Sequence, residues 1–95
     1  MEHFLVEYGE LGRSEERARL RPDHIAYRKG LGDRMALAGP LLGEDDQLVG
    51  SVVIIQADDL AAAEQAAKAD PYVAAGVFEL VSVRRYRIAA MKPPA

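Results

Sequence analysis

His24, in "RPDHIAY", and Asp70, in "KADPYVAAGVFELVSV", lie far apart in the chain and carry the two side-chain types that make a proton-transfer pair. A carboxylate hydrogen-bonded to one imidazole nitrogen fixes the tautomer and supports the imidazolium, leaving the other nitrogen to move a proton. Such a pair is two-thirds of a serine-hydrolase triad, but the nucleophile is missing. The chain has no cysteine, Ser14 reads as a helix cap and Ser51 falls within a strand on the other side of a hairpin, so acyl-enzyme chemistry is not expected. Isomerisation of, or elimination from, a small cyclic acid or phenol needs only the pair. Arg21 is placed either to hold an anionic substrate or simply to pair with Asp70. Tyr72 is placed to wall a pocket, to donate a hydrogen bond or to pack against a sheet.

Other constellations carry less. Glu44, Asp45 and Asp46 are adjacent acids on a polar hairpin, which is ordinarily just solvated, and His3 has no partner histidine at ligand spacing; no metal is expected. No glycine-rich phosphate loop stands between a strand and a helix, so no nucleotide or other cofactor is expected. A net charge of −3 argues against nucleic acid as a partner, because that affinity rests mainly on basic contacts to phosphate. Arg84, Arg85 and Arg87 read as a solvated strand end. No segment approaches membrane-spanning length. The opening "MEHFLVEYGE" is acidic where a signal peptide is basic, and the chain reads as cytoplasmic.

The elements that must position His24 and Asp70 follow from pattern and punctuation. Ninety-five residues make one domain, 1–95, with a core over about 3–88 and a tail over 89–95. "HFLVEY" (3–8) alternates as a strand. "GELGRSEERARLR" is polar, with a short helical turn started by Ser14, and the 9–21 segment is a candidate lid. Pro22 suits a first helical position, so a helix is expected from Pro22 to about Leu31, stopped by Gly30 and Gly32. "RMALAGPLL" (34–42) is a strand that loosens at Gly39-Pro40. "GEDDQ" turns into a third strand over 48–57. Asp58 or Asp59 caps an alanine-rich helix that ends at Asp70, and the fourth strand runs over 77–88.

This order, β-α-β-β-α-β, is the ferredoxin-like α+β arrangement, an antiparallel sheet with two helices on one face. "VVII" and Phe78, Leu80, Val81 and Val83 place apolar residues on both sheet faces. With no third helix to cover the second face, a homodimer is expected, with Val53 or Ile55 the candidates to point away from the helices. The topology brings the start of the first helix, with His24 in its first turn, to the end of the second, with Asp70. Tyr8, Gly39, Pro40 and Tyr72 lie near the same rim. A carboxylate at a helix C-terminus is disfavoured by the dipole, so Asp70 needs a partner such as His24 or Arg21.

The elements "RPDHIAY", "LAGPL" and "ADPYVAAGVFELVSV", in that order, resemble the YciI-like, or YCII-related, family from residue 3 to about residue 88. The resemblance implies a dimeric ferredoxin-like α+β domain of the barrel-forming type. It also implies an active site centred on a histidine and an aspartate, roles that fall here on His24 and Asp70. The family's biochemistry is mostly unassigned; one member is a dehydrochlorinase of a chlorinated hydroxyhydroquinone, and muconolactone isomerase-like proteins share the wider architecture. The expectation is a small acid-base enzyme acting on an organic anion or phenol, with Arg21, Tyr72, Gly39 and Pro40 about the substrate. The alternative is a noncatalytic dimer that holds a metabolite in the same cleft, with His24 and Asp70 as a bridge between helices.

Overall fold

A computed structural model describes residues 1–92; the last three residues of the expected tail, 93–95, lie outside the described residues. The elements are β1 (Glu2–Glu10), α1 (Ser14–Gly30), a 3-10 turn (Gly32–Arg34), β2 (Met35–Leu42), β3 (Leu48–Ala57), α2 (Leu60–Lys68), α3 (Pro71–Ala74) and β4 (Phe78–Tyr86). The four strands form one antiparallel sheet in the order β2-β3-β1-β4. This is the ferredoxin-like α+β fold.

The first helix departs from expectation. It starts at Ser14, not Pro22, with Arg13 as its N-cap and no side-chain capping bond, and it carries Pro22 in its interior. An interior proline loses its own N–H bond and crowds the carbonyl four residues back. Here both Pro22 and Ala18, whose carbonyl is orphaned, are exposed, so water can satisfy that oxygen. Glu15 and Glu16 in the first turn and Arg28 and Lys29 in the last suit the helix dipole. The chain turns out of the helix through Gly32, whose φ of 58° is left-handed and favours glycine. Residues 14–21 are therefore helix, only Leu11–Arg13 connect it to β1, and the lid reading of 9–21 falls.

The core lies between the helices and one sheet face. Phe4, Val6 and Tyr8 of β1 and Val53, Ile55 and Ala57 of β3 are buried there, and Ala63 and Ala67, themselves buried, let α2 approach the sheet closely. Asp59 caps α2, accepting from the Ala62 N–H at 2.8 Å. Val53 and Ile55 thus face the helices, contrary to expectation. The residues turned away include Val52 and Ile54, opposite Glu7 and Leu5, with Leu37 opposite Ile54. A β-bulge between Glu7 and Tyr8 in the β1–β4 register breaks strict alternation, so that Leu80 and Val83 both pack on the core while Val81 is exposed. Pro40 does not loosen β2, which continues to Leu42. As an edge strand β2 offers the one side where a missing N–H costs no ladder bond.

Gly50 marks a close approach. A Cβ there would overlap the Tyr8 carbonyl oxygen, a backbone atom that cannot yield without moving β1. Gly50→Ala is expected to lower stability by about 1–3 kcal/mol, the cost of forcing extra volume into packed structure. Gly39→Ala, with open space around its Cβ, serves as the control. Urea unfolding that places the two variants together would contradict this account.

Candidate active site

Asp70 is placed by the way α2 ends. The last-turn carbonyl of Ala67 accepts from the Tyr8 hydroxyl at 2.7 Å, and that of Ala66, which shares the Ala69 N–H with Gln65, accepts from the Tyr27 hydroxyl as well. Burial, and then the negative charge of Asp70, push the pKa of both hydroxyls above the ordinary tyrosine value, so both stay protonated donors at neutral pH. Beyond Ala69 the chain becomes extended, and Pro71 opens α3. Asp70 therefore does not terminate α2, as the sequence suggested. It is the N-cap of the next turn, accepting from the Tyr72 N–H at 3.0 Å. A carboxylate there satisfies an orphan donor, which resolves the objection to a carboxylate on that corner.

Asp70 is completely buried. Its two oxygens lie 2.9 and 2.8 Å from His24 Nδ1, so the imidazole sits astride the carboxylate. Although His24 is well inside α1 rather than in its first turn, the pair expected from the sequence is formed. The ring is fixed on two further sides: Tyr72 stacks on its face at 4.0 Å and 7°, and Phe78 meets it edge-on at 5.8 Å. The Tyr72 hydroxyl donates to the Arg17 carbonyl at 3.0 Å, and burial raises its pKa as well. With Nδ1 committed to Asp70, Nε2 is the nitrogen left for a ligand.

His24 lines a cavity of about 360 Å³ together with Arg17, Arg21, Arg28, Gly39, Pro40, Ser51 and Tyr72. Every site residue expected from the sequence is at this cavity or, in the case of Asp70, directly behind it. Arg21, however, does not pair with Asp70. The guanidinium that does is Arg28, whose Nε is 3.5 Å from Asp70 Oδ2. Arg28 also lies 3.5 Å from the Ser51 hydroxyl, which itself donates to the Gly39 carbonyl at 3.3 Å. Ser51, set aside in the sequence, is thus part of the cavity wall, but its contacts are Arg28 and Gly39 rather than His24. The signal for Arg17 and Arg28 was their spacing: Arg17, Arg21, His24 and Arg28 recur every three or four residues and share one helix face once the helix begins at Ser14.

A ferredoxin-like α+β sheet whose helices hold a histidine and a buried aspartate over an open cavity defines the class. Residues 1–87 match the YCII-related domain, and the chain belongs to that family. It is 42% identical over 81 residues to Protein YciI of Escherichia coli, an alignment covering 77% of this chain and 83% of that protein. It is 38% identical to an uncharacterized protein of Haemophilus influenzae with the same coverage. Among solved structures it resembles 5-chloro-2-hydroxyhydroquinone dehydrochlorinase (TftG) from Burkholderia phenoliruptrix in complex with 2,5-dihydroxybenzoquinone. That match has a TM-score of 0.77 and 26% identity over 90% of this chain and 93% of the other.

Proposed function

We propose that the protein is a small cytoplasmic enzyme that isomerises, or eliminates a leaving group from, a small organic acid or phenolic substrate by proton transfer through His24. The observation that carries this reading is the His24–Asp70 pair, in which a carboxylate held fully out of water orients an imidazole that opens on a cavity. His24 Nε2 takes a proton from the substrate, the electron pair moves into the substrate's conjugated system, and the proton returns at another atom or a leaving group departs. Asp70 holds the tautomer and supports the imidazolium. Arg21 binds the substrate's anionic group, Tyr72 backs the imidazole, and Gly39 and Pro40 form the facing wall. The dehydrochlorination of a phenolic compound by the structural relative supports chemistry of this type. A screen of lactones, hydroxyquinones and chlorinated phenols tests it. Consumption of a compound by the wild-type protein and not by a His24 variant is the expected result; binding without consumption would favour the noncatalytic alternative.

The working unit of this proposal is a homodimer formed through the sheet face that the helices leave uncovered. Leu37 and Val81, both about half exposed, lie on that face with Val52. Leu37→Asp is expected to dissociate the dimer, because the interface would bury an unpaired charge, while the separate chain tolerates it at an already exposed position. Sedimentation equilibrium at micromolar concentration gives the answer: a wild-type protein that is monomeric there ends the dimer reading.

A further inference from the structure

Among the groups that line the cavity, the charged ones are all cationic. Arg17, Arg21 and Arg28 line it beside the His24 imidazole, whereas Asp70 and Glu10 are not in its lining and pair with Arg28 and Arg17. Arg28 is occupied by Asp70 and Ser51. Arg17 is anchored through Nε alone, 3.0 Å from Glu10 Oε1, and its guanidinium carbon lies 5.6 Å over the Tyr72 ring; its two terminal nitrogens have no partner among the described residues. Arg21 likewise has none. Both arginines line the cavity together with Tyr72, and their positive charge favours ionisation of its hydroxyl, opposing the larger effect of burial, which raises its pKa.

Arg17 and Arg21 are one helical turn apart, about 6 Å along the axis, and His24 follows about 4.5 Å further on. The uncommitted positive charge is therefore offset from the nitrogen that moves the proton. Pro40 and Leu48, from β2 and β3, and Ile25, next to His24 on α1, add apolar side chains to the lining. We infer that Arg17 and Arg21 form a clamp for a carboxylate, and that the substrate is a ring or unsaturated chain bearing that carboxylate away from its reacting atom. This deepens the acid-base reading and rests on it for the identity of the cavity as the substrate site. Planar guanidinium groups suit a carboxylate because two N–H donors match its two oxygens. A plain phenol brings its only charge to the reacting oxygen itself and leaves the clamp empty. Glu10, largely enclosed and holding Arg17 by one edge, is the positioning residue of the clamp.

The test compares two probes that share a ring and differ in the carboxylate, 2,5-dihydroxybenzoate and hydroquinone, titrated into the wild-type protein with affinities read by calorimetry and backbone amide shifts. The carboxylate is expected to bind at least about tenfold tighter, the scale of a charge-assisted bidentate contact. The preference should fall to within about twofold in the Arg17→Gln/Arg21→Gln double variant, since a neutral amide cannot replace that charge. It should persist in Arg85→Gln, which removes the same charge from the far end of β4. Equal affinity for the two probes, binding of neither, or a preference that survives loss of both arginines overturns the clamp. Because the readout is binding, these outcomes stand apart from turnover: equal binding together with activity that still requires His24 would reject the clamp and keep the acid-base reading.

Discussion

His24→Gln is expected to lower turnover of any substrate found in the screen by about 10²–10⁴-fold, the usual contribution of a positioned general acid or base, while changing stability by no more than about 1 kcal/mol. The two halves of this expectation have different origins. Loss of turnover follows because Nδ1 is held by Asp70 and only Nε2 can reach a ligand; glutamine offers an amide that can still donate to the carboxylate but has no basic nitrogen to replace Nε2. The small effect on stability follows from what remains around Asp70, which keeps the Tyr72 N–H at 3.0 Å and Arg28 at 3.5 Å. The imidazole itself is only partly enclosed, with 14% of its side chain exposed. Steady-state rates and urea unfolding on the same preparations provide the comparison. A folded His24→Gln protein that turns over substrate at the wild-type rate would remove the acid-base proposal.

Asp70→Ala should behave in the opposite sense, as the most destabilising of these substitutions. Removing the carboxylate leaves the buried Tyr72 N–H without its acceptor and takes the partner from Arg28 and His24 Nδ1, whose side chains are only 14% exposed, and breaking a buried charge pair from one side costs about 3–5 kcal/mol. Asp70→Asn retains an oxygen that can cap Tyr72 and is expected to lose less. The measurement is urea unfolding at several protein concentrations, which separates a change within the chain from one in its association. An Asp70→Ala protein within about 1 kcal/mol of wild type would show that the buried carboxylate is not a structural element. With both results as expected, the carboxylate ties α1 to α3 and orients the imidazole, and these are the same contact seen from its two ends.

Much of this arrangement was legible without coordinates because it depends on local rules. The period-two alternation of Phe4, Val6 and Tyr8, the apolar run at 52–55, the alanines of α2 and the cap at Asp59 are properties of neighbouring residues, and they yielded the strand and helix order and hence the ferredoxin-like topology. The meeting of His24 with Asp70 followed from that topology, since β-α-β-β-α-β connectivity brings α1 close to the end of α2 whatever the side chains are.

The tertiary structure decided what local rules could not. Pro22 is a good first residue of a helix and a poor interior one, so propensity placed the boundary there. The actual helix starts at Ser14 because charged residues matched to the dipole and an exposed Ala18 carbonyl make the interior proline tolerable. That earlier start puts Arg17, Arg21, His24 and Arg28 on one face and builds the cavity's basic wall. Asp70 looked like the end of one helix and is the cap of another, because the Tyr8 and Tyr27 hydroxyls, distant in sequence, satisfy the last carbonyls of α2. Likewise the bulge opposite Tyr8 turned Val83 onto the core against its simple alternation. Each of these depends on a partner supplied by a remote segment, and a hydrogen bond or a charge pair has no trace in the spacing of the residues that receive it.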